Sequence, residues 1–251
     1  MEPIYRQKFT LNDSAVDCFG YLRPSMLLFY AQEVAGRHCN LLSVDWDTLA
    51  ERGLFWAVIR QKVQITRLPH SGETIQVETW PMPTTKVCYP RSTVAYDEDG
   101  HELFRAISMW VLMDVNTRAM ILPGKSGVTV NGMLTGSELA LPGSLAVRDL
   151  AQCVSRRVGY PDLDRNGHMN NTRYLEWMDN LLPSIFHKEN RPCEITICYH
   201  AEAREEDVLQ MHWELKDGRT LVVDAWREMP SETGGNQRVC TAQLHYDPVV
   251  L

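Results

Sequence analysis

The feature that most restricts the fold is an internal repeat. Gly20-Tyr-Leu-Arg-Pro-Ser-Met-Leu-Leu-Phe-Tyr30 aligns without gaps on Gly167-His-Met-Asn-Asn-Thr-Arg-Tyr-Leu-Glu-Trp177, 147 positions later. Identity is slight, but the glycine, the hydrophobe two places on, the start of a helix and a closing aromatic all coincide. The same order of elements recurs around each copy. In the first half, residues 4–11 alternate as an opening strand. After Pro24 or Ser25, residues 26–35 read as a helix apolar on nearly every face, hence deeply buried. Strand patterns follow at 55–66, 73–80, 92–96 and 102–113, the last two joined by a turn at 97–100. The second half has an opening strand over 152–160 and a helix capped by Asn170 or Asn171 that Pro183 stops at about Leu182. Strands at 194–199, 208–215, 220–229 and 238–246 come next, with turns at 216–218 and 232–235. One helix on one antiparallel sheet, built twice, is the economical packing.

Residues 123–143 hold five of the 15 glycines and have Pro123 and Pro142 near their ends, which marks a linker. The expected organisation is therefore α+β: a first domain over 1–122, a linker over 123–150 and a second domain over 151–251. A chain of 251 residues that is 44% hydrophobic can bury the cores this needs. Its formal net charge is -7 and no Lys/Arg run exceeds two residues, which argues against a nucleic-acid surface. Seven cysteines, an odd number with no Cys-x-x-Cys pair, read as reduced thiols in the cytoplasm, given no secretory signal. No apolar run approaches the ~18 residues of a membrane span.

The segment from Tyr160 to Trp177 concentrates polar chemistry, with Asp162, Asp164, Asn166 and His168 inside seven residues. Its turn formers make it a loop at a helix start. Asx residues in such a loop ordinarily satisfy the backbone alone. Asp162, Asp164, Asn166 and Gly167 also match positions 1, 3, 5 and 6 of an EF-hand, but the twelfth position, which should be a bidentate Glu, is Arg173. Zinc is disfavoured because His168 has no second His or Cys at a ligand spacing in the loop. The remaining reading is acid–base chemistry on an acyl group. Tyr21 stands where His168 stands, so only the second copy carries this apparatus, and the first half reads as an acyl-holding half.

Further segments bring a family into view. Leu54-Phe-Trp-Ala-Val-Ile-Arg60, Gly72-Glu-Thr-Ile-Gln-Val-Glu-Thr-Trp-Pro81 and Arg105-Ala-Ile-Ser-Met-Trp-Val-Leu-Met113 precede Asp162-Leu-Asp-Arg-Asn-Gly-His-Met-Asn-Asn171 in the order found in the acyl-acyl-carrier-protein thioesterases of plants and bacteria. The chain resembles that family from about Tyr5 to Tyr246. The resemblance implies two tandem hotdog domains, each a buried helix wrapped by an antiparallel sheet, the first binding the acyl chain and the second carrying the catalytic residues. It implies hydrolysis of a fatty acyl thioester on acyl carrier protein, with no cofactor and no metal. A homodimer is compatible with it.

The family's Asp-x-Asn-x-His spacing falls on Asp164, Asn166 and His168, and its catalytic Glu falls on Glu202. Plant members carry Cys after that Glu, whereas this chain has Ala203. Cys198, five residues before it, would point to the opposite face of a regular strand. In the implied chemistry Glu202 is the base for water. His168 orients the water or protonates the leaving sulfur. Asn166 holds water or the thioester oxygen. Asp164 orients its neighbours or is itself the base, and backbone N–H groups of 168–171 receive the oxyanion.

Plainer roles stand beside these: Glu202 paired with Arg204, Asn166 as a turn residue, and His168 as a satisfied loop histidine. Trp56, Trp80, Trp110, Met26, Met109 and Met113 read as core or tunnel wall. The 60–62 and 156–157 basic clusters read as solvated strand faces, although an acidic carrier protein needs a basic landing site. Competing functions on the same fold are acyl-coenzyme A hydrolysis, hydratase or dehydratase chemistry with an acid/His pair, and non-catalytic binding of acyl thioesters.

Overall fold

A computed structural model describes residues 3–146, 149–228 and 235–249. It divides into two compact units that meet between Pro142 and Gly143, inside the 123–150 stretch.

The first unit contains β1 (Tyr5–Thr10), α1 (Pro24–Leu41), α2 (Trp46–Ala50), β2 (Leu54–Ile65), β3 (Thr74–Pro81), β4 (Tyr89–Tyr96), β5 (Glu102–Asp114), the short β6 (Met120–Ile121) and α3 (Pro123–Ser126). Its sheet runs β1-β3-β4-β5-β2 with β6 beside β5, and every pairing is antiparallel. Pro24 occupies the first turn of α1, where its missing N–H costs nothing. Leu27, Leu28, Ala31 and Val34 are buried, but Phe29 and Leu41 are 45% and 52% exposed, so the helix is not covered on every face as its composition suggests. The Asp97 turn between β4 and β5 forms as expected. Asp97 Oδ1 accepts from Asp99 N at 3.1 Å and His101 N at 2.8 Å, and Gly100 supplies the positive φ. Sequence reading misses α2, although Asp45 caps it by accepting from Asp47 N and Thr48 N, both at 3.1 Å.

The second unit contains β7 (Gln152–Arg157), α4 (Asn171–Asp179), α5 (Ser184–Glu189), β8 (Asn190–Tyr199), β9 (Val208–Lys216), β10 (Thr220–Glu228) and β11 (Asn236–Pro248). Its sheet order, β7-β9-β10-β11-β8, repeats that of the first unit strand for strand. Asp217 and Gly218 both have positive φ in the β9–β10 turn, the backbone a tight hairpin needs. Of the other expected turn, at 232–235, residues 232–234 lie outside the described residues, as does Met229 at the end of the 220–229 strand.

Several boundaries differ from expectation: α1 runs on to Leu41, β4 starts at Tyr89 and β8 at Asn190, and two more lie at the ends of the loop and helix of the second unit. β7 ends at Arg157, because Gly159 opens a 3-10 turn over Tyr160–Asp162. α4 ends at Asp179, and Pro183 precedes the new helix α5 rather than stopping the old one. The physical reason is that Pro183 has no N–H for the Asp179 carbonyl four residues earlier and its ring crowds that carbonyl, while proline's fixed φ suits a helix start.

Residues 123–142 are packed onto the first unit. Tyr89 OH and Ser126 Oγ lie 2.7 Å apart, Met133 N donates to Pro81 O at 2.9 Å, and Arg60 Nη1 donates to Pro142 O at 3.2 Å. That last bond takes Arg60 out of the solvated role. Trp80 and Met109 are buried core residues. Trp56 and Trp110 pack around Val44, Leu49, Leu54, Tyr89, Leu112 and Val128, and Met113 packs on Cys88 and Val111.

A Cβ built on Gly132 would lie 2.0 Å from Met82 O and 2.1 Å from Met82 C, both backbone atoms with little freedom to move. Gly132→Ala is therefore expected to destabilise the protein by at least ~2 kcal/mol in denaturant melts. Gly143→Ala, with nothing within 4 Å of its Cβ, should change stability by less than ~0.5 kcal/mol.

Glu138 accepts from Thr135 Oγ1 at 2.9 Å, Gly136 N at 3.0 Å and Trp80 Nε1 at 3.1 Å. Burial raises its carboxyl pKa, but these donors outweigh it and carry the pKa down from 4.5 to about 2. A depressed carboxyl stabilises the fold fully above pH 4.5 and loses that contribution as pH falls toward 2. The fluorescence of Trp80, read as wild type minus Trp80→Phe, should change across this window and lose that change in Glu138→Gln.

Candidate active site

Each unit turns into its helix through the same loop, and an aspartate holds it. In the second unit Asp164 Oδ1 accepts from Asn166 N at 2.7 Å and His168 N at 3.2 Å. Asp164 N donates to His168 O at 2.8 Å, and Gly167, with φ 72°, donates to Asp164 O at 3.0 Å. In the first unit Asp17 Oδ1 accepts from Phe19 N at 2.9 Å and Tyr21 N at 3.0 Å, with Gly20 at φ 83°. The bridges Val16↔Leu22 and Leu163↔Met169 also correspond, each pair 147 positions apart. Helix α4 then starts from Asn170, whose side chain accepts from Thr172 N and Thr172 Oγ1, both at 2.9 Å.

Residue 168 is aimed by this turn at the 200–207 segment between β8 and β9. His168 pairs with Arg204 as an isolated bridge, Met169 N donates to Ala203 O at 2.8 Å, and His168 Nε2 lies 3.1 Å from Glu202 Oε2. The His168 side chain is only 9% exposed, while that of Glu202 is 28% exposed. Arg204 Nη2 also approaches Glu202 Oε2, at 3.8 Å, from an exposed position. Glu202 thus takes both partners considered for it. The imidazole contact is the shorter and its histidine the more buried, within hydrogen-bond distance, whereas the guanidinium at 3.8 Å lies beyond it. Tyr199 OH donates to Asn171 O at 3.1 Å and its ring stacks edge-on with Tyr174 at 5.5 Å, which fixes the first turn of α4 against β8. Burial pushes both phenols well above their ordinary range, so they serve here as neutral groups.

The structure brings His168 and Glu202 into contact and joins Asp164 to the backbone of Asn166 and His168. The expectation for the oxyanion changes, while calcium stays disfavoured. The amides of His168, Met169 and Asn170 donate to Asp164 Oδ1, Ala203 O and Asp162 O, which occupies most of the backbone donors expected for an oxyanion. The carboxylates of Asp162 and Asp164 accept from backbone N–H groups, and Arg173 pairs with Glu176 at 2.6 Å, an arrangement poorly suited to calcium. Arg156 is partly covered, its guanidinium 5.5 Å from the Trp177 ring, while Arg157 keeps the solvated strand-face position expected for it, 64% exposed and paired with the equally exposed Glu206. The Cys198 thiol donates to Gly143 O at 3.6 Å, and Ala203 is fully buried. Among the described residues, the grouping with metal-ligand proximity is Asp97, Asp99 and His101, at the exposed β4–β5 turn.

The second-unit loop has first-unit counterparts residue by residue: Asp17 for Asp164, Phe19 for Asn166 and Tyr21 for His168. Beyond the helix the correspondence is 134 positions, which sets Leu68 against Glu202 and His70 against Arg204. Asp207 and Arg227, which hold the Glu202 segment, escaped sequence reading, because only the fold brings β10 to that turn.

Comparison with known proteins gives one family. The model of the acyl-ACP thioesterase N-terminal domain matches residues 2–122, and that of the C-terminal domain matches residues 150–244. An acyl-[acyl-carrier-protein] hydrolase of Cuphea viscosissima is 27% identical over 82% of this chain and 53% of its own length. A palmitoyl-acyl carrier protein thioesterase of Gossypium hirsutum is 26% identical over 86% of this chain and 56% of its own. The chain therefore spans about half the length of the curated relatives it matches. Among solved structures, an acyl-ACP thioesterase from Bacteroides thetaiotaomicron superposes with TM-score 0.86 at 24% identity, covering 98% of each chain. The 12:0-ACP thioesterase from Umbellularia californica superposes with TM-score 0.83 at 21% identity, covering 99% of each. The fold is the α+β arrangement of two tandem hotdog domains. Both halves match in order and together take in most of the sequence, so the chain belongs to the acyl-acyl-carrier-protein thioesterase family.

Proposed function

We propose that the chain hydrolyses the thioester between a fatty acyl group and acyl carrier protein, releasing free fatty acid and the carrier's thiol. The observation that carries this reading is the 3.1 Å contact between His168 Nε2 and Glu202 Oε2, in the unit that also holds Asn166. Glu202 takes a proton from water as the water oxygen attacks the thioester carbonyl carbon. His168 orients that carboxylate across their hydrogen bond; the proton passes from Glu202 to the imidazole, which gives it to sulfur as the C–S bond breaks. Asn166 offers its side-chain N–H groups to the developing oxyanion, a role the occupied loop amides leave to it. Asp164 acts as the turn's acceptor rather than the base. Asp17 makes the same bonds in a unit where Leu68 replaces the glutamate.

The second unit supplies the chemistry and the first unit the acyl-chain site in this proposal, with 123–150 joining them. A cytoplasmic setting and a homodimer belong to the same proposal. The first rests on the odd number of cysteines without a Cys-x-x-Cys pair. Light scattering on the purified chain reads the second.

The test is thiol release from acyl-carrier-protein thioesters of graded chain length beside the matching coenzyme A thioesters. Glu202→Gln and His168→Ala should each lower kcat by ~10²- to 10⁴-fold with folding intact by circular dichroism. Hydrolysis of coenzyme A thioesters alone would move the carrier out of the reading. Thiol release untouched by both variants would remove the pair from the mechanism.

The two aspartates separate scaffold from chemistry. Asp164→Ala should lower both stability, by ~1–3 kcal/mol, and kcat, because two amides lose a charged acceptor and His168 loses its aim. Asp17→Ala should cost similar stability and leave kcat within about threefold, as read from denaturant melts and initial rates.

A further inference from the structure

The mechanism does not use Asp207 or Arg227, yet they lie at the base of the segment that carries Glu202. Asp207 Oδ2 accepts from Arg204 N at 2.8 Å, and Asp207 N donates to Arg204 O at 3.1 Å. This closes a turn in which Glu206 is held at φ 73°, a left-handed backbone costly for a residue with a side chain. The same Oδ2 receives Arg227 Nη1 from β10, and Arg227 Nη2 donates to Gln237 Oε1 on β11. Both members of the pair are largely enclosed, with side chains 18% and 22% exposed, so their bond is less screened than a surface ion pair. The turn is also tied to Val158, the residue after β7, since Glu206 N donates to Val158 O at 3.0 Å and Val158 N to Asp207 O at 2.9 Å.

The first unit has the same turn but locks it differently. Glu73 Oε1 accepts from His70 N at 2.6 Å, as Asp207 accepts from Arg204 N. Its cation, however, is Arg67, which donates to both Glu73 oxygens at 2.8 Å from within the same segment. The second-unit counterpart of Arg67, 134 positions on, is Ala201, the neighbour of Glu202. The second unit thus draws its guanidinium from a central strand, which ties the segment to the sheet instead of to itself. A local clip keeps a turn in shape, whereas a tether to the sheet also fixes where the turn sits. Position matters here because His168 arrives on a separate loop, and hydrogen-bond contact with Glu202 tolerates little displacement.

We propose that Arg227, through Asp207, is a positioning residue that registers Glu202 against His168. This rests on the reading of that pair as the reacting groups. Arg227 touches neither of them in this role and sets kcat through the placement of Glu202.

The experiment compares the wild-type chain with Arg227→Met and Arg227→Lys, far below their melting temperatures, using the best substrate of the thiol-release assay. Two readouts are taken: kcat against KM, and the ¹⁵N and N–H resonances of the His168 ring. Arg227→Met should lose about 10- to 100-fold in kcat with KM nearly unchanged, and the His168 ring signals should shift as its partner moves away. Arg227→Lys keeps the cation for Asp207 while giving up the Gln237 branch, and should recover part of both. A drop in melting temperature with kcat and ring signals as in wild type would overturn the proposal, reducing Arg227 to a stabilising contact. The Glu202→Gln control distinguishes the two failures. If it keeps full activity, the reacting pair is misassigned; if it is inactive while Arg227→Met turns over normally, only the positioning role fails. Should no thioester be turned over by the wild type, the ring signals still decide, since unchanged resonances in Arg227→Met would overturn the tether.

Discussion

A carboxylate that accepts the backbone N–H groups two and four residues ahead of it is the interaction from which each unit is organised. Ordering a loop of this length costs ~1–2 kcal/mol for each residue fixed. Bonds to a charged acceptor, worth ~1.5–3 kcal/mol each, offset part of that cost. Asp17 and Asp164 make those bonds at nearly the same distances. The outcome is a residue, Tyr21 or His168, delivered at a fixed angle to the segment that follows the next long strand, and a helix that begins three residues later. What the unit can do then depends on which side chain stands at that position and which one meets it.

Much of this was legible in the sequence because it rests on local rules. The 147-residue offset found by aligning Gly20 with Gly167 recurs in the bridges, the aspartate turns and the first residues of both helices. Strands announced themselves by alternation, and the turns at Asp97 and Gly218 by residue type. The misses have physical causes. α2 is five residues long, too short for periodicity to register, and only its Asp45 cap could have signalled it. α4 ended three residues before expectation because Pro183 has no N–H to offer the Asp179 carbonyl four residues earlier and its ring crowds that carbonyl. For the site, the polar loop drew attention to Asp162, Asp164, Asn166 and His168 and the family resemblance singled out the last three, but their division into scaffold and chemistry needed the bonds of Asp164 Oδ1. Glu202 was placed by resemblance. That its carboxylate meets His168 and Arg204 together is a long-range fact that no local pattern encodes.

The first unit shows what a hydrophobic pattern conceals. Composition and alternation predict an apolar interior beneath α1, and near Ile75, Val77, Ala95 and Phe104 the interior is apolar. Further along the same strands it carries a buried guanidinium. Arg91 donates to His38 Nδ1 at 3.2 Å, to Thr79 Oγ1 at 3.4 Å and to Cys39 Sγ at 3.7 Å, and none of these acceptors is a carboxylate. Desolvation pulls the Arg91 pKa below its ordinary value, and burial holds the Cys39 thiol up, so the cation is solvated by neutral groups. Gln61 donates to Ser108 at 3.1 Å and Thr93 to Thr79 at 3.2 Å, extending this polar end across the sheet. Hydrogen bonding on this scale keeps such a core specific even where it adds little net stability.

Duplication explains how a half-buried carboxylate can be tolerated beside a histidine. A lone glutamate at that depth carries a desolvation penalty, offset only if partners are already held in place. In the second unit the aspartate turn holds His168, and the sheet, through Arg227 and Asp207, holds the segment of Glu202. The first unit keeps the turn but sets buried Leu68 opposite Tyr21, whose ring lies 4.0 Å from that of His70. Packing there replaces the Glu202–His168 contact and needs no tether, so a clip from Arg67 within the segment suffices. The difference between the units is thus one of placement precision. An apolar contact tolerates small shifts of a loop, whereas a base that must share a hydrogen bond with an imidazole does not.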